Sequence, residues 1–324
     1  MKPTAKTIAK NLGISEAAVS MALNNKYGVS EKTRAKVFEE AIKLGMNVKS
    51  DVETSVVDFI IYVKSGAVVA DTPFFAELMQ GIAARCKSYG ARLNISYLYE
   101  GEKLTHSFNS LGVILLATEM DATAYKTIGK TELPTVFLDS SFEGLNVSSV
   151  VINNVEGAFM ATSFLIKKYR CNPGYLHSSF DILNFDARSD GFYKAIRKNG
   201  LAPSASVVHR LSPSSDGAYA DMNELLKHDE KLAKCYFADN DLIAAGAIKA
   251  FAEHGYRVPD DIAVIGFDNM PICEYISPAL STVDVPKKFM GETAVDKLMA
   301  IKNGEKYVTK TEISTRLVLR ASTK

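Results

Sequence analysis

Residues 4–24 read TAKTIAKNLGISEAAVSMALN, and they are the most informative part of the amino-terminal region. Its pattern predicts a short amphipathic helix, a glycine turn and a second helix. Gly13 stands at the turn because glycine enters positive φ without steric cost. Thr4 and Ser15 are side-chain types that cap the first turns of helices. A third helix is expected from Ser30 to Leu44.

Apolar side chains predict how the first two helices pack. The inward faces carry Ile8, Ala9 and Leu12 on the first helix and Val19, Ala22 and Leu23 on the second. A helix-turn-helix needs this combination, and its second helix is shaped to enter the major groove of DNA. An ordinary helical hairpin is the alternative, because small residues and glycine turns are also common in helical bundles.

The charge distribution favours DNA binding over the plain hairpin. Residues 1–50 hold nine Lys or Arg and four Asp or Glu, a net charge of +5. The rest of the chain has a net charge of −4. The total of +1 is therefore the sum of a basic amino-terminal region and a slightly acidic remainder. A module that binds phosphates is expected to have such a basic patch.

The residues expected to contact DNA fall into two groups. Base edges are expected to meet the second helix, where Glu can accept from cytosine and Ala or Met can touch a thymine methyl. The basic side chains are expected to meet phosphates, with plain solvated surface charges as the alternative. The full set of candidates is Thr4, Lys6, Ser15, Glu16, Ala17, Ser20, Met21, Lys26, Lys32 and Arg34.

Length and composition set the class of protein. A chain of 324 residues with 47% hydrophobic content suits two or three compact units of a globular protein. The longest apolar stretches are too short to span a bilayer, and no export signal is visible, so the expected location is the cytoplasm. The four cysteines lack metal-ligand spacing and are expected to be reduced thiols, and no metal or cofactor is expected.

After residue 55 the chain alternates between apolar strands and helices. Strands are predicted at 56–63, 92–99, 112–117, 134–139, 150–153, 174–177, 206–210, 234–238, 263–267 and 312–320. Helices are predicted at 74–88, 155–168, 187–199, 217–227, 241–254 and 288–302, with a short one between the third and fourth strands. This alternation is typical of α/β proteins with parallel sheets covered on both faces. Ligands of such sheets lie at the carboxyl ends of the strands.

Residues 233–286 carry a more specific signal. They include Ala-Asp-Asn-Asp before a helix, Arg-Val-Pro-Asp-Asp-Ile, Gly-Phe-Asp and Ser-Pro-Ala-Leu-Ser-Thr. With the amino-terminal helix-turn-helix and the Thr-Pro-Phe-Phe-Ala-Glu-Leu start of the first core helix, these motifs resemble the LacI/GalR family of bacterial repressors. The resemblance covers nearly the whole chain. It implies an all-helical headpiece joined to a periplasmic-binding-protein-like core of two doubly wound parallel-sheet subdomains.

The same resemblance implies how the chain is divided and what it binds. The headpiece is expected at 1–49, a short linker at 50–55 and the core at 56–324. The amino-terminal subdomain would take about 56–152 and 284–311, and the carboxyl-terminal subdomain about 153–283 and 312–324. Members of the family bind sugars or purines between the subdomains, and a homodimer reads a pseudo-palindrome in double-stranded DNA.

The resemblance implies seven candidate ligand-binding residues, at the positions where this sequence matches the family's motifs. They are Phe74, Phe75, Asp139, Arg188, Asn240, Asp268 and, at the rim, Tyr275. Carboxylates, an amide and a guanidinium suit hydroxyl groups, and an aromatic ring covers an apolar sugar face. Structural roles are the alternatives to ligand binding. Asp139 and Asp268 could form turns or cap helices, and Asn240 could cap its helix. One of the two phenylalanines is expected in the core, and the other is expected to face the cleft.

Two departures from the family pattern concern DNA. Met21 follows Val19 and Ser20 where the family usually has Arg, so guanine readout by Arg is missing from this helix. Residues 46–55 are shorter than the family's hinge helix, contain Asp51 and Glu53 and have no leucine. We therefore expect little direct DNA contact from this segment. The segment from Glu100 to Leu111 is also short, so a helix usually found there is expected to be truncated or lost.

Other classes of protein fit less well. The chain has no phosphate-binding loop of the Walker type, no dinucleotide-binding glycine motif, no zinc-protease motif and no nucleophile elbow, so no enzyme is expected. Two alternatives stay open beside a ligand-controlled regulator. One is a cytoplasmic protein that only binds a small molecule, and the other is a constitutive DNA-binding protein with a degenerate pocket.

Overall fold

The computed structural model describes most of the chain. It covers residues 4–24, 26, 28–46, 55–69, 73–107, 109–128, 131–228 and 230–323, except for the side chains at 31, 127 and 128. The expected linker at 50–55 lies outside the described residues apart from Ser55. The expectation that this segment contacts DNA little therefore stays a prediction.

Three helices form the headpiece. They are α1 (Ala5–Leu12), α2 (Glu16–Leu23) and α3 (Glu31–Lys43). Gly13 has φ 66° at the turn between α1 and α2, as its place in the sequence predicts. The Ser15 hydroxyl accepts a hydrogen bond of 3.1 Å from the Ala18 amide and caps α2. Thr4 occupies the cap position of α1 but makes no side-chain cap bond, because its hydroxyl pairs at 3.1 Å with that of Thr7.

The headpiece has its own small core. Its buried members are Ile8, Ala9, Val19, Ala22, Val37 and Ala41. The inward faces predicted for α1 and α2 are thus confirmed, and α3 supplies the third side of the core. Because α1 and α2 each hold only eight residues, this shared core rather than intrinsic helix propensity stabilises them.

The rest of the chain alternates between strands and helices. The strands are β1 (Val56–Val63), β2 (Arg92–Tyr99), β3 (Ser110–Leu116), β4 (Thr135–Leu138), β5 (Ser148–Ile152), β6 (Gly174–Ser178), β7 (Val208–Leu211), β8 (Cys235–Ala238), β9 (Ala263–Asp268), β10 (Ser281–Asp284), β11 (Lys310–Ile313) and β12 (Arg316–Val318). The helices are α4 (Pro73–Ser88), α5 (Ala122–Ile128), α6 (Asn154–Tyr169), α7 (Leu183–Lys198), α8 (Ser215–Lys227), α9 (Asp241–Glu253), α10 (Ile272–Tyr275) and α11 (Lys287–Lys302). Short 3-10 turns cover Pro203–Ala205 and Ala321–Thr323.

The strands form two six-stranded sheets. The first has the order β11-β5-β4-β3-β1-β2 and is parallel throughout. The second has the order β12-β10-β9-β8-β6-β7 and is parallel except for the β10–β12 pair. We call the first sheet with α4, α5 and α11 the first lobe, and the second sheet with α6 to α10 the second lobe. The predicted α/β class with two parallel sheets is confirmed.

The chain end differs from the sequence prediction. One closing strand was expected at 312–320, but the structure has β11 in the first sheet and β12 in the second. The chain crosses between the lobes at this point, and one continuous strand cannot pair with both sheets. The expected boundary at 311/312 between the two subdomains therefore falls inside β11. Strand β10 and helix α10 were not predicted, because their sequences are short and β10 is polar.

Two glycines allow the helices of the first lobe to pack closely. A Cβ on Gly81 of α4 would lie 2.1 Å from the Lys288 carbonyl oxygen, and one on Gly291 of α11 would lie 2.4 Å from the Leu78 carbonyl oxygen. Only glycine permits backbones to approach this closely. Helix α11 is thereby held against α4, at whose start Phe74 and Phe75 lie. Among the described residues, no helix is both long and apolar enough to cross a bilayer.

Candidate functional site

A cleft at the carboxyl ends of the strands separates the two lobes. Its lining is Val68, Phe74, Phe75, Thr118, Asp139, Ile182, Asn184, Phe185, Arg188, Pro213, Asn240, Leu242, Asp268 and Met270. The cavity in the cleft has a volume of about 40 Å³. That volume holds roughly three ordered waters. The cleft is therefore narrow in this conformation.

Six of the seven residues predicted to bind ligand line this cleft. The first lobe contributes Phe74, Phe75 and Asp139, and the second contributes Arg188, Asn240 and Asp268. Tyr275 is placed elsewhere. Its side chain is 87% exposed, and it lines a different groove beside Pro271 and Lys287.

Asp139 is an acidic residue of the first lobe that lines the cleft. It follows β4 with φ 69°, a left-handed conformation that directs its carboxyl group into the cleft region. Its Oδ2 accepts hydrogen bonds from the Thr118 hydroxyl at 2.7 Å and the Asn184 amide at 3.0 Å. Its Oδ1 is buried without a partner among the described residues. Burial raises the pKa of Asp139 to about 7.

Arg188 ties the second lobe together beneath the cleft. Nε donates to Asn154 Oδ1 at 2.9 Å, one terminal nitrogen donates to Asp268 Oδ1 at 3.0 Å, and the other donates to the Asp239 carbonyl oxygen. The guanidinium carbon lies 3.8 Å from the centre of the Phe267 ring. Arg188 was expected at a helix start, but α7 begins at residue 183, so it lies in the second turn. Most of its donors are bound to protein rather than directed at a ligand.

Asp268 ends β9 and is held from two sides. It has φ 105° and lies 7% exposed. Burial raises the pKa of its carboxyl group, although Arg188 and Lys287 act in the opposite direction. Lys287 Nζ donates at 2.7 Å to the Asp268 carbonyl oxygen and lies 3.7 Å from Glu77 Oε1 of α4. The Asp268 turn is thus linked to the first lobe through a buried ammonium group.

Asn240 caps a helix and also lies at the cleft. Its Oδ1 accepts a hydrogen bond of 2.8 Å from the Ile243 amide and caps α9, while Nδ2 donates to the Pro213 carbonyl oxygen at 3.2 Å. It lines the cleft at the same time. The two phenylalanines pack edge to face, with ring centres 5.1 Å apart and planes at 77°. Both belong to the buried hydrophobic core and both line the cleft.

Sequence reasoning missed the residues that connect these groups. Asn154 Nδ2 donates to Asn184 Oδ1 at 3.0 Å, which completes a chain of hydrogen bonds from Asp139 to Arg188. On the other side of Arg188, the Asp239 carboxylate accepts hydrogen bonds from the Tyr175 hydroxyl and, at 2.7 Å, from the Ser178 amide. It also lies 2.7 Å from Nδ1 of His177. Polar residues that directly follow apolar strands, such as Asp239 after β8, were the available signal.

Glu119 positions the loop that leads to the phenylalanines. Its two oxygens accept backbone hydrogen bonds of 2.8–3.2 Å from five amides between residues 64 and 69. Burial raises the pKa of this carboxyl group, but the backbone hydrogen bonds outweigh burial and the net direction is downward. The carboxylate therefore holds Val68 at the edge of the cleft.

The headpiece presents the outer face of α2. Glu16, Ala17 and Ser20 are exposed there and Met21 is half-buried. Lys6, Lys26 and Lys32 are exposed, as phosphate contacts require. Arg34 does not have the exposed position expected of a phosphate contact. It is half-buried and donates to carbonyl oxygens at the end of α2, at 2.9 Å to Ala22 and 3.3 Å to Met21, because these groups have no partner in the helix.

Comparisons with known proteins agree with this architecture. A family model of the periplasmic binding protein-like domain matches residues 175–323. The HTH-type transcriptional regulator GalS of Salmonella typhimurium is 31% identical over 309 residues, which cover 90% of this chain and 88% of the relative. This chain belongs to the LacI/GalR family. The HTH-type transcriptional repressor PurR of Aliivibrio salmonicida is 27% identical and covers 91% of both chains.

A solved structure shares the fold. The structure of the transcriptional regulator CelR in complex with cellobiose has a TM-score of 0.71 and 23% identity, and the alignment covers 99% of both chains. The LacI/GalR relatives are transcriptional regulators rather than enzymes. Within the described residues, no group of three or more His, Cys, Asp or Glu is placed to hold a metal ion.

Proposed function

We propose that this protein is a transcriptional repressor whose affinity for operator DNA is controlled by a small polar effector, a sugar or sugar phosphate, in the cleft. One observation carries the proposal. Asp139 lines the same cleft as Phe74 and Phe75, and its Oδ1 is buried with no partner among the described residues. Leaving such a group unpaired costs on the order of 1–3 kcal/mol. A ligand that bonds to this oxygen would recover that energy.

The chemistry of Asp139 favours a hydroxyl group as its partner. With a pKa of about 7, the carboxyl group is close to half-protonated near neutral pH. A hydroxyl group donates to the carboxylate and accepts from the carboxylic acid, so it suits both forms. The neighbouring aromatic rings suit the apolar face of a sugar. Polyhydroxylated ligands therefore fit this position better than ammonium or carbonyl compounds.

Charge narrows the choice between the two effector classes. The charged residues that line the cleft are Asp139, Asp268 and Arg188, and Arg188 is already paired with Asp268. A phosphate group requires uncommitted positive charge or free backbone amides. We therefore favour a neutral sugar over a sugar phosphate. The bound cellobiose of CelR is consistent with this choice.

The narrow cleft requires motion before a sugar can enter. A space for about three waters is smaller than a monosaccharide, so the lobes must separate and the Asn184–Asp139 hydrogen bond must break. The same narrowness favours one alternative, a constitutive DNA-binding protein whose cleft polar groups bind each other permanently. The two functions differ in whether any ligand stabilises the protein.

The headpiece is proposed to bind double-stranded operator DNA through α2. The exposed positions Glu16, Ala17 and Ser20 would face base edges, while Lys6 and Lys32 would contact phosphates. Such a regulator acts on the chromosome, so the cytoplasm is the proposed compartment. Two headpieces about 34–36 Å apart would read successive major grooves.

A homodimer is proposed to provide the two headpieces. The edge strand β2 exposes Ile95, Tyr97 and Tyr99 on one face, with exposed fractions of 45%, 59% and 54%. The described residues of 101–109 contain no helix to cover this face, in line with the expected loss of a helix there. An apolar edge-strand face without cover is a candidate interface. Light scattering of wild type and Tyr97→Glu tests this assignment.

The function is tested with the full chain. Thermal shift and calorimetry against neutral mono- and disaccharides, their phosphates and purine bases identify an effector. Operator sequences are selected from random duplex DNA, and their affinity is measured with and without that effector. We expect one neutral sugar to raise the melting temperature and change operator affinity, and Asp139→Ala to lose both effects. DNA binding that no compound changes would support the constitutive alternative instead.

A further inference from the structure

Two cysteines of the second lobe are in contact at the end of the sheet opposite the cleft. Cys171 lies in the connection between α6 and β6, and Cys235 is the first residue of β8. Their sulfur atoms are 3.7 Å apart. Strands β6 and β8 are parallel neighbours, with Gly174 paired to Tyr236, which places the two cysteines at adjacent strand starts. The sheet therefore fixes Cys235, and Cys171 lies three residues before the start of the neighbouring strand.

We propose that Cys171 and Cys235 form a reversible disulfide when the protein meets a hydroperoxide. The sulfurs must approach by about 1.7 Å to reach the length of a disulfide bond. Cys171 is half-buried and open to a small oxidant, whereas Cys235 is fully buried behind it. This division suits an attacking thiol and a resolving thiol. The site lies outside the effector cleft and is independent of the proposed function.

The chemical environment supports the two roles. When Cys171 is ionised, its thiolate can accept a hydrogen bond from the Cys235 thiol. This bond, with the nearby charge of Lys234, outweighs burial and lowers the pKa of Cys171. The same hydrogen bond and burial raise the pKa of Cys235. The other two cysteines differ, because burial raises the pKa of Cys86 to about 11 and also raises that of Cys273. Cys171 is thus the cysteine with the largest thiolate fraction at neutral pH.

The reaction balances with hydrogen peroxide as the oxidant. The Cys171 thiolate attacks one peroxide oxygen, the O–O bond breaks, and the products are a sulfenic acid and hydroxide. The sulfur of Cys235 then attacks the sulfenic sulfur, the S–S bond forms and the S–O bond breaks. The leaving hydroxide takes the Cys235 proton and becomes water. In total, two thiols and one peroxide give one disulfide and two waters.

The position of the bond predicts what oxidation leaves intact. Strand β8 runs from Cys235 to Ala238, and Asp239 and Asn240 follow at its cleft end. Four residues of strand separate the two ends by roughly 13 Å. The disulfide would close a loop of 64 residues, the sequence separation of the two cysteines, within the second lobe. Closing such a loop lowers the conformational entropy of the unfolded chain and thereby stabilises the folded state. The oxidised protein is therefore expected to melt at a higher temperature.

The test uses the full-length protein treated with hydrogen peroxide and then unfolded in denaturant, so that the buried thiols also react. Free thiols are alkylated in the denaturant, and intact mass spectrometry and peptide mapping follow. We expect two thiols to escape alkylation, a peptide linking Cys171 to Cys235, and full reversal by dithiothreitol. Cys86→Ala is the matched control and should still form the bond. Cys171→Ser should keep three reactive thiols, and Cys235→Ser should leave a sulfenic acid on Cys171 that dimedone traps.

Three outcomes would overturn the proposal. They are four alkylated thiols after peroxide treatment, a linked peptide that contains Cys86 or Cys273, and conversion of Cys171 to a sulfinic acid with no linked peptide. Peptide mapping of the wild-type protein alone decides between them, so the test does not depend on the folding of any variant.

Discussion

Asn184 Nδ2 donates a hydrogen bond of 3.0 Å to Asp139 Oδ2 across the cleft. Asn184 lies in the first turn of α7 in the second lobe, and Asp139 ends β4 in the first. Both residues are buried. The bond therefore joins the lobes at the place where a ligand would have to enter, and it continues through Asn154 to Arg188.

Replacing Arg188 by alanine is expected to destabilise the protein as well as the site. The substitution leaves the Asp268 carboxyl group buried without its partner, a change that costs about 3–5 kcal/mol in comparable buried pairs. The free energy of unfolding is measured by urea denaturation. Arg197→Ala is the matched control, because Arg197 is exposed on the same helix and should change the value by less than about 0.5 kcal/mol. Equal stabilities of the two variants would contradict this role.

Asp139 makes stability depend on pH. Its folded pKa of about 7 lies above its ordinary value of 3.8, so the folded state binds a proton that the unfolded state releases. Its contribution is fully present below pH 4 and is lost as pH rises to about 7, by up to about 4 kcal/mol. Asp139→Asn should remove this loss. Denaturation curves at pH 5 and pH 8 measure it, and an unchanged pH difference in the variant would count against the assignment.

Lys32 and Arg34 should behave differently although both are basic residues of α3. Lys32→Ala should leave the headpiece folded and reduce the salt dependence of DNA binding by about one unit of slope. Arg34→Ala should destabilise the headpiece because it removes hydrogen bonds to the end of α2. Salt titrations of operator affinity and circular dichroism separate the two effects. The interpretation fails if Arg34→Ala keeps full headpiece stability.

Glu119→Gln should loosen the loop at residues 64–69. The pKa of the Glu119 carboxyl group is lowered in the folded state from its ordinary value of 4.5. The carboxylate therefore stabilises the folded protein above pH 4.5, and this stabilisation disappears as pH falls through the folded pKa. The glutamine variant should therefore be less stable than wild type at pH 7, with the difference shrinking in acid. Glu143→Gln, at an exposed position, serves as control. Hydrogen exchange of the loop amides provides the measurement.

Tyr275→Ala should leave effector affinity unchanged. The side chain is 87% exposed and does not line the cleft, so it has no contact with a ligand bound there. Calorimetry with the sugar identified in the panel measures the affinity of the variant. A tenfold loss of affinity would contradict this expectation and show that Tyr275 contributes to the rim of the site.

Strand-end aspartates show how far sequence reasoning reaches into the site. Asp139 follows β4 of the first sheet and Asp268 ends β9 of the second. Ligands of such sheets lie at the carboxyl ends of the strands, so a place at the cleft could be predicted for each residue separately. Tyr275 lies outside the cleft lining, at the end of the four-residue helix α10, which was not predicted. Arg188 was placed at a helix start because the first turn of α7 lacks the apolar spacing by which a helix is recognised.

The headpiece and the two parallel sheets could be predicted from the sequence, because caps, a glycine turn and hydrophobic periodicity act over short distances along the chain. Which polar groups pair depends on the tertiary structure. The partners of Arg188 are Asn154, Asp239 and Asp268, at sequence separations of 34, 51 and 80 residues. Periodicity indicates which face a side chain occupies, but the order of strands in the sheets decides which side chain it meets.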